Sequence, residues 1–223
     1  MKRVLVACEE SQRVCIAFRE RGFEAYSCDI LPCSGGHPEW HIQVDVYKLL
    51  YVKTYPNYMF MTQDGEWHDY EWCWDLIIAH PPCTYLSNAG ARFLYPKGEL
   101  NNQRLKQGLE AAEFFMMLYN APCKHIAVEN PIPSKIYGLP HYTQIIQPYM
   151  FGVPLQKKTC LWLKNLPFLE PTCLLDKSDC QSTKVAGNWF NKGGKDRQKN
   201  RSKTFWGIAE AMAEQWGKVI END

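Results

Sequence analysis

Residues 3–29 have the sequence RVLVACEESQRVCIAFRERGFEAYSCD, and the fold class follows from this segment. An apolar, β-branched run at 3–7 precedes a segment at 11–21 whose Val14, Ala17 and Phe18 recur at helical spacing. A second apolar run at 23–28 follows and ends at Asp29. Gly22 stands where a helix-terminating residue is expected. Strand, helix and strand in this order predict a parallel sheet with crossover helices, which is an α/β fold.

The same alternation continues along the chain. The apolar runs predict further strands at 42–46, 75–79, 125–128 and 159–163, with another near Val185, and the helical spacing predicts helices at 101–119 and 204–223. The run at 75–79 is apolar enough to be buried on both faces of a sheet. Thr204 is the expected N-cap of the last helix. These elements predict a doubly wound, mostly parallel sheet.

Residues 47–74 interrupt the alternation with nine Tyr, Phe and Trp residues. This segment is interpreted as an aromatic-rich insertion, with a small hairpin about Asp64-Gly65. Aromatic clusters of this kind usually serve packing.

The chain has 223 residues, of which 46% are hydrophobic and 22% charged. These values indicate one globular domain, or one domain with a small appendage. The apolar runs are too short to span a bilayer, and the first residues lack the apolar core of a signal peptide. We therefore expect a cytoplasmic protein without a membrane partner.

Ten cysteines are present without paired spacing, so reduced thiols are expected in this setting. The side chains of Cys28, Cys33, His37 and His41 are of the types that bind zinc. Zinc fingers need a longer span between the cysteine and histidine pairs, so the sequence predicts no metal site.

The net charge of +1 hides an asymmetry. Residues 1–150 carry 13 Lys and Arg against 16 Asp and Glu, whereas residues 151–223 carry 12 against 8. The basic residues concentrate at 184–203. Such a segment either follows a phosphate backbone or forms a solvated loop, and its charge alone leaves both interpretations open.

Residues that could bind a ligand or take part in a reaction follow the predicted strands, at the edge where parallel sheets bind ligands. Asp29 ends the second strand, about twenty residues after the first, where a carboxylate reaches a ribose hydroxyl. His80-Pro81-Pro82-Cys83 follows the run at 75–79, and Glu129-Asn130 follows the run at 125–128. The two prolines stiffen the loop and present the Cys83 thiol. A thiol beside a carboxyl group predicts a nucleophile with a proton donor.

Three motifs together resemble the cytosine-5 DNA methyltransferase family, and more closely its short phage-type members. They are Pro-Pro-Cys at 81–83, Glu-Asn at 129–130 and Phe-Gly-Val-Pro at 151–154. The order agrees with the family from the N-terminus to about residue 163, and the final helix is similar to the last family motif. The resemblance implies the S-adenosylmethionine-dependent, Rossmann-like methyltransferase type of α/β fold.

The resemblance also implies a mechanism and a substrate, cytosine in DNA. Cys83 would add to C6 of the base, so that C5 attacks the methyl group of S-adenosyl-L-methionine. Glu129 would protonate or hydrogen-bond N3 and the exocyclic amine, and Asn130 would position the loop. In duplex DNA the target base must be flipped out of the stack.

The cofactor is expected along the first strand ends. The implied set comprises Ala7, Cys8, Glu9, Glu10 and Ser11 after the first strand, Asp29 and Ile30 at the ribose, Asp45 at the adenine amine, and Pro81. The first loop lacks the family's glycines, so close approach of backbone to cofactor is not assured. Glu9 or Glu10 either binds the cofactor's amino group or starts a helix as an exposed acid.

The basic motif after Pro154 departs from the family, which has Gln followed by alternating arginines. One register gives Leu155, Lys157 and Thr159, the other gives Gln156, Lys158 and Cys160, and neither contains Arg. The residues expected to contact nucleic acid are Gln156, Lys157, Lys158, Lys184, Lys192, Lys195, Arg197 and Arg201.

The predicted domain organisation has three parts. Residues 1–164 form the catalytic domain, 165–203 a small basic recognition-like segment, and 204–223 a helix that packs back on the catalytic domain. The recognition segment is much shorter than in typical DNA-modifying members. Methylation of RNA or a free nucleotide, or binding without catalysis, therefore remain the alternative functions.

Overall fold

The computed structural model describes residues 1–51, 59–69, 74–183 and 201–223. Its central sheet contains seven strands. These are β1 (Arg3–Ala7), β2 (Glu24–Asp29), β3 (His41–Gln43), β6 (Leu76–Ala79), β7 (His125–Pro131), β8 (Gln144–Ile146) and β10 (Thr159–Lys164). The remaining strands are β4 (Met59–Met61), β5 (Trp67–Asp69), β9 (Leu155–Gln156) and β11 (Gln181–Ser182).

The strand order in the central sheet is β3-β2-β1-β6-β7-β10-β8. Neighbouring strands from β3 to β7 are parallel, whereas β10 runs antiparallel to both β7 and β8. The strand order reverses between β1 and β6, and in doubly wound sheets such a reversal opens a crevice for ligands. The predicted fold class, a doubly wound and mostly parallel sheet of the Rossmann-like methyltransferase type, is confirmed.

Within the described residues the layers are completed by the helices α1 (Arg13–Arg19), α2 (Tyr47–Tyr51), α3 (Asn102–Tyr119) and α4 (Trp206–Glu221). One apolar core lies between the sheet and the helices α1 and α4, with Phe18 and Trp216 fully buried in it. A second core covers the other face and includes Phe115 of α3 and Trp162 of β10. The sheet is therefore covered on both faces, as its apolar strands require.

The boundaries differ from the sequence prediction where local hydrogen bonds compete. α1 begins at Arg13 because Gln12 adopts a left-handed conformation, with φ of +59°, and its side chain bonds both backbone groups of His37. β3 lies at His41–Gln43, earlier than the predicted 42–46, because Asp45 instead accepts a hydrogen bond from Tyr47 N–H at the start of α2.

Two further predictions need correction. The residue before α4 is Phe205 rather than Thr204, and Phe205 makes no side-chain capping bond. The carbonyl of Thr204 instead accepts a hydrogen bond from the Arg13 guanidinium, which ties the chain to α1. β8 was not predicted, because a three-residue edge strand carries too little pattern.

The predicted hairpin about Asp64-Gly65 is confirmed, since β4 and β5 pair antiparallel around it. Gly65 has φ of +96°, a conformation that glycine adopts without strain. Phe60 packs against Tyr26 and Trp74, so the described part of this insertion contributes to the second core. Its other aromatic residues, at 52–58 and 70–73, and the predicted strand near Val185 lie outside the described residues.

Within the described ranges, no helix has the length and apolar character needed to cross a membrane. The domain boundaries near residues 164 and 203 stay predictions.

Candidate active site

The loop that carries Cys83 leaves the sheet at the carboxyl end of β6. The backbone N–H of His80 still bonds Ala7 O of β1 at 2.9 Å, which fixes where the loop starts. The buried Asn130 then donates from Nδ2 to the carbonyl of Pro81 at 2.8 Å. The Cys83 residue itself is exposed. The structure therefore presents this thiol at the surface on a loop held from two strands.

His80 and Glu129 form a buried pair below that loop. Nδ1 of His80 lies 2.9 Å from Oε2 of Glu129, and the two side chains are only 9% and 15% exposed. Burial opposes both charges, yet the hydrogen bond and the opposite charge of each partner outweigh it. The pKa of His80 is raised and the pKa of Glu129 is lowered. The pair is thus stabilised as imidazolium and carboxylate.

The thiol responds to the same surroundings. Burial of the Cys83 sulfur, and then the negative charge of Glu129, raise the pKa of the thiol. Lys157 and Arg201 act in the opposite direction. Cys83, Glu129, Lys157 and Arg201 therefore lie within electrostatic range of one another, although they come from four separate segments of the chain.

Lys157 resolves the register of the basic motif. Leu155 is buried, and Lys157 and Thr159 line a small cavity together with Glu129. The start of α4 closes the other side of this cavity with Lys203, Thr204, Phe205 and Ile208. Nζ of Lys157 bonds the carbonyl of Arg201 at 3.1 Å and lies 5.7 Å from the centroid of the Phe205 ring. The first of the two predicted registers is the one that faces the site.

The other two residues of this motif lie elsewhere. Nε2 of Gln156 donates to the carbonyls of Lys177 and Cys180, both at 3.0 Å, so its amide holds the loop that follows β10. Lys158 is exposed. The structure therefore brings Lys157 to both Glu129 and Cys83, and Arg201 to Cys83, but it places Gln156 and Lys158 elsewhere. Lys184, Lys192, Lys195 and Arg197 lie outside the described residues.

The turn after β1 is shaped without glycine. Cys8 adopts φ of +60°, and the carboxylate of Glu9 accepts hydrogen bonds from the N–H groups of Val14 and Cys15 at 2.8 and 3.2 Å. Glu9 thus satisfies the first turn of α1, as expected of a helix-starting acid. Burial raises the pKa of Glu9 to about 7, against the opposing effects of His80 and of these N–H groups. Glu9 is buried, as are Ala7, Glu10 and Ser11, so neither acid is exposed as the helix-start interpretation assumed.

The next two strand ends carry carboxylates on the same edge of the sheet. Oδ1 of Asp29 accepts a hydrogen bond from Leu31 N–H at 2.9 Å, and burial raises the pKa of Asp29. Ile30 beside it is 70% exposed, an unusual position for a large apolar side chain. Asp45 follows β3, and desolvation together with the negative charges of Asp29 and Asp45 raises the pKa of the partly buried Cys8 thiol.

One residue near the candidate site, Arg104, was not predicted from the sequence. Arg104 of α3 donates to the carbonyls of Thr84 and Gly90, at 3.0 and 3.2 Å, and stacks between Tyr85 and Phe93. It therefore clamps the segment that follows Cys83. An arginine on a helix surface carries no sequence signal for this contact, because the partners are backbone carbonyls some 14 to 20 residues away.

Two of the four residues that could have formed a zinc site make other contacts. The thiol of Cys28 donates to Val44 O, and the ring of His41 lies between Ser27 Oγ and Leu31 O. Among the residues described, no three His, Cys, Asp or Glu side chains are grouped closely enough to hold a metal ion.

Comparison with known proteins gives structural likeness at low sequence identity. No protein-family model matches the chain, and no curated protein sequence matches it. A proposed DNA modification methyltransferase encoded within an E. coli prophage has a TM-score of 0.43 and 12% identity, covering 78% of this chain and 52% of its own.

Two further solved structures are DNMT2 proteins. A mutant of Spodoptera frugiperda DNMT2 gives a TM-score of 0.38 at 14% identity, covering 78% of this chain and 54% of its own. Dnmt2 methyltransferase of S. pombe gives 0.33 at 14% identity, covering 75% and 51%. The chain thus spans about half the length of these solved structures. At these values the sheet order itself, rather than the likeness, establishes the fold.

Proposed function

We propose that this protein transfers a methyl group from S-adenosyl-L-methionine to C5 of cytosine in DNA, through a covalent bond between Cys83 and C6. The observation that carries the proposal is the convergence of Cys83, Glu129 and Lys157 at one edge of the sheet. The Cys83 residue is exposed, whereas the carboxylate beneath it is largely buried and paired. A nucleophile next to a buried proton-exchanging group suits addition to an electron-poor ring.

Each residue has a distinct task in this reaction. The Cys83 thiolate adds to C6, and the ring becomes an enamine whose C5 is nucleophilic. Glu129 faces N3 and the exocyclic amine, where it stabilises the charge that develops on addition. Asn130 holds the loop through Pro81 O, so that the thiol does not need to be ordered during the reaction.

The cofactor contributes an electrophilic methyl group on a sulfonium. The residues present fit its adenosine part, because Asp29 and Asp45 offer carboxylates and the exposed Ile30 offers an apolar surface on the same edge. The turn at Ala7 to Ser11 and the backbone at Pro81 border this edge. Glu9 is already bonded to the start of α1, so Glu10 is the better candidate of the two for the cofactor's amino group.

DNA is proposed as the substrate because basic residues lie near Cys83 and in the segment of the sequence that precedes the final helix. Lys157 and Arg201 lie at the thiol, and Lys184, Lys192, Lys195 and Arg197 would extend the basic surface along a phosphate backbone. The segment available for base recognition is short. We therefore expect modest sequence selectivity, and RNA or a free nucleotide is the alternative substrate class.

The test uses DNA containing 5-fluorocytosine together with S-adenosylmethionine. Fluorine at C5 cannot leave as a proton does, so the enzyme stays bonded to the DNA after methyl transfer. We expect a denaturation-resistant adduct with the wild-type protein and none with Cys83→Ala. The matched control is Cys173→Ala, which removes another exposed free thiol and should retain the adduct.

Each outcome decides something. An adduct that persists in Cys83→Ala would show that the nucleophile is misassigned. Absence of an adduct on every single- and double-stranded DNA tested, with an adduct on 5-fluorocytosine RNA, would move the activity to RNA. Absence on both would favour a binding protein without this chemistry.

A further inference from the structure

The contact between His80 and Glu129 is not part of the Pro-Pro-Cys and Glu-Asn motifs that suggested the site. A carboxylate that must meet a base through N3 and the amine needs a fixed orientation. Oε2 of Glu129 is held by Nδ1 of His80 at 2.9 Å, and both side chains are nearly buried. The backbone at His80 is fixed on both sides, because the His80 N–H is bonded to Ala7 O and the carbonyl of Pro81 accepts a hydrogen bond from Asn130.

We propose that His80 is a positioning residue that orients the Glu129 carboxylate and supplies the proton taken up by the bound cytosine. This inference rests on the proposed function and specifies the proton source within the same site. As the imidazolium, His80 donates its Nδ1–H to Oε2, the oxygen that faces N3 of the base, and leaves Oε1 for the exocyclic amine.

The charged groups that act on His80 come from three parts of the sheet. Glu129 lies near the end of β7, Glu9 follows β1 and Lys157 precedes β10. Burial disfavours the imidazolium, and so does Lys157, whereas the two carboxylates favour it. Their combined effect raises the pKa of His80 above its ordinary value of 6.5. The contact with Glu129 thus favours the imidazolium form of His80.

The proton balance of the reaction follows from this arrangement. When the Sγ–C6 bond forms, the electrons of the C5=C6 double bond move into the ring, and N3 takes the proton that the imidazolium and the carboxylate share. His80 is left neutral and Glu129 stays a carboxylate, which accepts hydrogen bonds from both N3–H and the amine. After methyl transfer a water molecule takes the C5 proton, the C5=C6 double bond forms again as the Sγ–C6 bond breaks, and the proton on N3 returns to His80.

The test measures the rate of 5-fluorocytosine trapping against pH for the wild type and for His80→Asn. Asparagine keeps an N–H donor near Glu129 but holds no exchangeable proton. In the wild type we expect the rate to fall at alkaline pH as His80 loses its proton. His80→Asn should trap roughly 10- to 100-fold more slowly at neutral pH, and this alkaline limb should disappear or move to lower pH.

The matched control is His125→Asn on the same strand system. His125 is also a buried histidine bonded to a carboxylate, with Nε2 at 3.0 Å from Asp223, but it lies at the opposite end of β7 from Glu129. This variant should keep the wild-type pH profile. Thermal unfolding of both variants shows whether they are folded at the assay temperature.

A second readout does not depend on turnover. NMR titration of the His80 ring should give a pKa above 6.5 in the wild type and a lower one in Glu129→Gln. If Glu129→Gln leaves this titration unchanged, the pairing is wrong whatever the activity. If His80→Asn is folded and keeps the wild-type rate and pH profile, the inference falls while the proposed function stands. If the wild type forms no adduct, the proposed function falls, and the proton-supplying role of His80 falls with it.

Discussion

The thiol of Cys83 sits in surroundings that oppose its ionisation at rest. Burial of the sulfur and the Glu129 carboxylate raise its pKa, and the two nearby cations compensate only in part. A resting thiol of this kind is protected from adventitious oxidation and alkylation, which require the thiolate.

This charge balance can be measured without substrate. Glu129→Gln removes the negative charge next to Cys83 and leaves Lys157 and Arg201 in place, so the thiol pKa should fall. Because one pKa unit corresponds to a tenfold change in the thiolate fraction, alkylation of Cys83 by iodoacetamide at neutral pH should accelerate by about three- to tenfold. Peptide mapping by mass spectrometry separates Cys83 from the other thiols.

The exposed Cys173 serves as the internal standard, since its alkylation rate should not change. A slower alkylation of Cys83 in Glu129→Gln would contradict the proposed electrostatic contact between the two residues.

At the scale of elements, the site is built by strand ends and held by a helix. The sequence predicted that Cys83 and Glu129 meet, because parallel strands deliver their carboxyl ends to one edge and β6 and β7 are adjacent. It did not predict the pairing of His80 with Glu129, nor the clamp by Arg104. Such contacts depend on side-chain rotamers and loop geometry, which leave no periodic trace in the sequence.

The clamp leads to a prediction for α3. Arg104→Ala removes two hydrogen bonds to backbone carbonyls and the ring stacking on Tyr85 and Phe93. The segment 84–93 should therefore exchange its amide hydrogens faster. Trapping on 5-fluorocytosine DNA should slow by about tenfold or more, since small displacements of a reacting group are costly.

The affinity for S-adenosylmethionine, measured by calorimetry, should stay within about twofold, because none of the proposed cofactor residues touches Arg104. Lys106→Ala is the matched control on the same helix, where the lysine side chain is 80% exposed. Equal trapping rates for Arg104→Ala and Lys106→Ala would show that the contacts of Arg104 do not contribute to the reaction of Cys83.

At the scale of the whole molecule, the far ends of the chain meet at the site. The sequence predicted an amphipathic final helix that packs back on the catalytic domain, and α4 does pack against α1. Its start was not expected at the active-site cavity. The reason is the close approach of Gly207 to Phe151, which lies just before β9: a Cβ on this glycine would clash with the carbonyl oxygen of Phe151. A glycine within an apolar stripe does not reveal what it approaches.

This contact links the final helix to the cavity beside Glu129 and gives the last prediction. Gly207→Ala forces α4 away from Phe151, because a backbone carbonyl cannot move aside as a side chain does. The free energy of unfolding, measured with urea, should fall by about 1–3 kcal/mol. Lys203, Thr204 and Phe205, which precede the glycine, should shift from Glu129 and Lys157, so trapping on 5-fluorocytosine DNA should also fall.

Gly217→Ala separates these two effects. It makes the same substitution on the same helix, three turns further on, where the new Cβ meets the edge of the Phe23 ring at 2.7 Å. Crowding against this buried ring should cost more than the gain in helix propensity of about 1 kcal/mol, and the position is remote from the cavity. Gly217→Ala should therefore change stability but keep trapping at the wild-type rate. If instead trapping follows stability equally in both variants, α4 supports the site only by keeping the protein folded, and its start has no direct part in shaping the cavity beside Glu129.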